Sequence, residues 1–140
     1  MTFEFDALMS IYNISTRNAA LRPVAEWLAD LCVKEASRKM SYEEWKRTAR
    51  AKAIITVYGE EELKWEFLEE CHDRLDHGPF HHKVFQPSTV LLIEAIYNLF
   101  TGKPVPLKSL KAGKRTSELM ELLRKAGAKE DGAYLQLQPS

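Results

Sequence analysis

Two stretches of this chain hold residues whose types and spacing could do chemistry. In the first, Cys71 is followed by His72, His77, His81 and His82, with Asp73 and Asp76 among them. Cys71, His77 and His81 amount to one thiolate and two imidazoles, a donor set that suits zinc. Histidines titrate near neutrality, so the same stretch could act as a pH-sensitive hinge. No CxxC pair and no HExxH helix frames the set, and Cys71 belongs to an apolar series with Leu63, Phe67 and Leu75. A buried cysteine followed by a polar connector explains the pattern, so neither a metal nor a cofactor is expected. The second stretch is basic: Lys108, Lys111, Lys114 and Arg115 lead into the hydroxyls of Thr116 and Ser117. By residue type alone such a run reads as a solvated surface. The chain has no Walker loop, GxGxxG or GxSxG motif. Its paired carboxylates, such as Glu43-Glu44 and Glu60-Glu61-Glu62, stand at helix starts, where they complement the helix dipole. No catalysis is expected.

The elements that must position these residues read as helices over most of the chain. Pro23 suits the first turn of a helix, and Val24, Trp27, Leu28 and Leu31 follow as one apolar stripe. Ser41-Tyr42-Glu43-Glu44 has the form of a capping box; it predicts one helix carrying Tyr42, Trp45, Ala49 and Ala53. The β-branched run Ile54–Tyr58 either ends that helix or forms a short strand, and Gly59 breaks it. A further helix from Glu60 carries Leu63, Phe67, Cys71 and Leu75, and Gly78-Pro79 ends it. Trp27, Trp45 and Trp65 all lie in these amphipathic stretches and are expected in a shared core.

Charge divides the chain at Pro87. Residues 1–86 carry a net −3 and residues 87–140 a net +3, within a total of zero. Past the division, Ser88 is placed to cap a helix with Leu91, Leu92, Ile96, Leu99 and Phe100 inward. Thr101-Gly102-Lys103-Pro104 ends it, and Val105-Pro106 reads as an extended link. A short helix over Leu107–Lys111 and an Ala112-Gly113 turn come next. Thr116 or Ser117 then caps a helix burying Leu119, Leu122 and Leu123, with Gly127 at its left-handed end. Asp131-Gly132 is a two-residue hairpin signal, and Ala133–Gln138 alternates apolar and polar residues.

That order resembles the winged helix-turn-helix family over about Pro87 to Gln138. The residues that carry the likeness are Leu119, Leu122, Ala126 and Gly127 at the helix end and the Lys129–Leu135 wing. The Thr101–Leu107 entry to the short helix is similar as well. A second likeness, of Glu118–Ala128 to the second helix of an ankyrin repeat, lacks the further copies such repeats need. The winged-helix resemblance implies a mainly α fold: a helical domain at 1–86 for dimerisation or partner docking, and a winged-helix domain at 87–140 with a small β-hairpin. It implies a double-stranded DNA-binding regulator, not an enzyme, whose helix 116–125 enters a major groove. Lys108 and Lys111 would meet phosphates, Lys114, Arg115, Thr116, Ser117 and Glu121 would face base edges, and Lys129 would reach an adjacent backbone. The alternative is a protein-binding adaptor or inhibitor on the same fold, because fold alone does not fix function. The outward Glu118 and Glu121 and the even charge balance favour it.

The composition, 45% hydrophobic and 29% charged, excludes wholesale disorder. No apolar run approaches the roughly 18 residues of a membrane span. The N-terminus lacks the pattern of a signal peptide. A reducing cytoplasm is therefore expected, with Cys32 and Cys71 as free thiols.

Overall fold

The structure, a computed structural model, describes residues 3–75 and 84–137. It is mainly helical with a small antiparallel sheet at the C-terminal end. The first helix, α1 (Phe3–Arg17), buries Phe5, Leu8 and Ile11. A single 3-10 turn, Ala19–Leu21, leads into α2 (Arg22–Ala36), where Pro23 occupies the first turn as its fixed φ predicts. The α2 stripe of Val24, Trp27 and Leu28 is buried, and Leu31 packs half-buried against the same core.

The segment after Ser41 differs from expectation. Ser41 Oγ accepts the Glu44 N–H at 3.2 Å, but α3 (Tyr42–Trp45) stops after one turn. Thr48 then caps a separate helix, α4 (Ala49–Tyr58), by accepting the Ala51 N–H. Thr48 takes an extended backbone (ψ 153°) to do so, which divides the one predicted helix into two. Ala53 is exposed as a result. Ile54–Tyr58 completes α4 rather than forming a strand, and Gly59 separates it from α5 (Glu60–Leu75). Leu63, Phe67 and Cys71 are buried along α5, as are all three tryptophans. Cys32 and Cys71 are free thiols.

Beyond Val84 and Phe85 runs α6 (Pro87–Phe100), whose densest packing is against α1. Gln86, with an extended backbone, is the residue preceding it; Ser88 already lies inside the first turn and does not cap it, because Pro87 itself pre-sets the helical φ. Val105–Pro106 is a true strand, β1, rather than a mere link. The expected Leu107–Lys111 helix is a single 3-10 turn, Leu107–Ser109, followed by another, Gly113–Arg115. Then come α7 (Thr116–Lys125), β2 (Ala128–Asp131) and β3 (Tyr134–Leu137). Gly127 takes φ +99°, the left-handed conformation that closes α7 without a Cβ clash.

The sheet order is β1-β3-β2, all antiparallel. Asp131 pairs with Tyr134, so the two-residue loop is Gly132-Ala133, one position later than the Asp131-Gly132 signal. Only Gly132, at φ +62°, has a positive φ there, which matches a turn with glycine first. Leu135 and Leu137 face the core and Gln136 faces out. The core runs without a break from Phe5 in α1 to Leu137 in β3.

Candidate nucleic-acid interface

The outward face of α7 follows from its apolar spacing. Leu119 and Leu123 are fully buried, and Thr116, Met120 and Leu122 flank them half-buried. The opposite side then consists of Ser117, Glu118, Glu121, Arg124 and Lys125, all exposed. α7 touches α2 of the N-terminal half, yet its outer side remains open.

Each candidate residue has a definite place. Lys108 is exposed on the Leu107–Ser109 turn, Lys111 is exposed between the two turns, and Lys114 is exposed in the 3-10 turn that enters α7. Arg115 is half-buried, its guanidinium carbon 4.8 Å from the centre of the Trp27 ring and its Nη2 3.5 Å from Glu118. Stacking of this kind contributes about 0.5–1 kcal/mol at a partly exposed site. Thr116 does not cap α7, and Ser117 does not either: Arg115 takes the position before the helix without a side-chain bond. The Gly113–Arg115 turn is already helical, so no extended residue is left to act as a cap. Thr116 Oγ1 instead accepts the Ala112 N–H and donates to the Gly113 carbonyl, both at 2.8 Å. Those bonds fix the turn but occupy the hydroxyl. Ser117 is exposed. Glu121 is exposed and pairs with Lys125 at 3.4 Å. Lys129 is exposed on β2, opposite Gln136.

Arg124 and Lys125, absent from the residues expected at the interface, also share the outer face. Helical spacing from Ser117 and Glu121 places them there. Arg124 closes on Glu130 of β2 at 3.4 Å. No local pattern pointed to Trp27, because it lies far away in sequence. Between Glu94 and Glu118 the sequence carries Lys103, Lys108, Lys111, Lys114 and Arg115 and no carboxylate. Of these only Arg115 has an ion-pair partner among the described residues.

Comparison with family models, with curated proteins and with solved structures finds no match to this chain. The reading of the site therefore rests on its own geometry.

His77, His81, His82 and Asp76 lie outside the described residues. Cys71 is fully buried, with burial pushing its thiol up to about 12, and His72 stacks on Phe5 with ring centres 5.0 Å apart. Among the described residues no group of three acidic, histidine or cysteine side chains is placed to hold a metal.

A second polar cluster joins α1, α2 and α5. The Tyr12 hydroxyl donates to Glu62, and Arg22 bridges Glu26 and Glu62, each at 2.6 Å. Burial first, and the Glu62 carboxylate second, push the Tyr12 phenol up to about 12. A phenol held this firmly protonated serves as a donor that ties helices, not as a base. Tyr12 and Cys71 both hold their protons more tightly folded than unfolded. Their stabilisation is complete below the ordinary thiol and phenol values of 9.0 and 10.0 and is lost as pH rises through 12. The urea midpoint is accordingly expected to fall as pH climbs from about 9 toward 12. Tyr12→Phe and Cys71→Ala should each flatten that slope. A midpoint unchanged across this window would contradict the assignment.

Proposed function

We propose that residues 87–137 form a winged-helix unit that binds double-stranded DNA, with α7 in the major groove. The order helix, strand, turns, helix and hairpin, closed by the β1-β3-β2 sheet, supports that reading. One observation carries it: the outer face of α7 is open to solvent and is entered from an acid-free run of exposed lysines. Lys108, Lys111 and Lys114 meet phosphates, with Arg115 beside them on its Trp27 platform. Lys129 extends the contact from the hairpin. Ser117 and Glu121 face the bases, Glu121 accepting from a cytosine amino group.

The test is binding to a labelled duplex of mixed sequence across a salt series. Five phosphate contacts give a log–log salt slope of about −4 to −5. A slope near zero, or no binding at about 50 mM salt, would defeat the proposal. A second reading, a protein-binding adaptor, is favoured by one feature: Arg115, Arg124 and Lys125 are each closed on a carboxylate of the same surface. On that reading, capture of a protein partner survives nuclease treatment, and Glu121→Ala weakens it.

A further inference from the structure

A groove of about 530 Å³ runs between the outer edge of α6 and the β1 segment. It falls within the range of small-ligand sites, about 300–1,000 Å³. Leu91 and Ala95 from α6 and Pro104 and Pro106 from the strand side give it an apolar lining, with Ser88, Asn98 and Ser109 as neutral polar neighbours. Leu91, expected inward from its spacing, is instead 61% exposed, because the α6 stripe that packs inward runs through Leu92, Ile93, Ile96 and Leu99.

β1 is an edge strand, but its outward positions have no N–H to donate to another strand. Leu107 N–H points inward to the Ala133 carbonyl at 2.8 Å, and Val105 pairs with Leu135. Alternation then directs positions 104 and 106 outward, and both are prolines without an N–H. The edge therefore offers rings instead of donors. Lys108 and Lys111 border the groove on the strand side, exposed and without an ion-pair partner among the described residues. Glu94 borders it on the α6 side. An anion is accordingly welcome at the lysine wall alone, and a ligand with charge at both ends would meet Glu94.

We propose that this groove binds an amphipathic monocarboxylate, its chain on Leu91, Ala95 and the two prolines and its carboxylate on Lys108 and Lys111. The same two lysines are assigned above to phosphate, so the ligand and a duplex exclude one another. That second half rests on the DNA reading; the groove itself does not.

The probe is sodium decanoate below its micelle concentration, added to the full chain and followed by backbone amide NMR shifts. Saturating shifts confined to residues 88–111 are expected. Lys108→Gln with Lys111→Gln should weaken binding by about tenfold or more, about 1.4 kcal/mol. Leu91→Asn, at an exposed position that leaves the fold intact, should weaken it too. Decanol, with the chain but no charge, should bind at least about tenfold more weakly than decanoate. Shifts that do not saturate, shifts centred elsewhere, or equal binding of decanol would each overturn the site. For the second half, saturating decanoate should raise the duplex Kd, by the reciprocity of linked binding. An unchanged Kd overturns the exclusion alone. If no duplex binds at all, the DNA reading fails, and the NMR titration still decides the groove.

Discussion

Glu35→Ala should lower the free energy of unfolding by about 3 kcal/mol, because two donors lose a charged acceptor at once. Glu35 is only 8% exposed, near the end of α2. One carboxylate oxygen accepts the Gln86 N–H at 2.9 Å and the other accepts the Thr89 hydroxyl. Both donors belong to the start of α6, where the helix dipole also favours a negative charge. Bonds to a charged group contribute about 1.5–3 kcal/mol each, and part of that remains when water reaches the half-open Gln86 amide. Thr89 is 5% exposed and finds no such substitute. Glu35→Gln keeps one carbonyl acceptor and should lose about half as much. Urea denaturation of the three proteins measures both values. A loss under about 1 kcal/mol for the alanine variant would show that the carboxylate does not hold α2 to α6.

Reversing three charges at the entry to α7 carries the largest expected effect on function. Lys108→Glu, Lys111→Glu and Lys114→Glu together should lower duplex affinity by at least about a hundredfold and reduce the salt slope by about three. All three lysines are exposed and without an ion pair among the described residues, so the fold has little to lose. Surface changes of this kind usually stay within about 0.5 kcal/mol in stability. Arg115 is left out of the set, because its stack on Trp27 would mix a packing loss with an electrostatic one. Duplex anisotropy and a urea curve on the same sample separate binding from unfolding. Retention of wild-type affinity would exclude this surface as the phosphate contact and leave the adaptor reading.

Much of the helical fold is legible from local pattern. The stripe through Val24, Trp27 and Leu28, the series Leu63, Phe67 and Cys71, and the alternation of Leu135 with Gln136 and Leu137 each reach the expected face. Side-chain period alone sets these, and the period is a local property. Helix starts are less legible. Ser41 and Thr48 are both good caps seven residues apart, and the sequence does not say that both are used. Ser88, Thr116 and Ser117 are good caps by type that cap nothing, since Pro87 and the Gly113–Arg115 turn already set the backbone.

The candidate site divides in the same way. The basic stretch and the outward face of α7 are set by residue type and spacing over a few turns, so the sequence by itself determined them. Only the tertiary structure decided that Arg115 would rest on Trp27, that Arg124 would close on Glu130, and that Glu35 would hold the start of α6. It also decided that β1 would pair with β3 and turn two prolines toward a groove. Each of these joins residues from separate elements. Their energies depend on distance in space, to which periodicity along the chain carries no information.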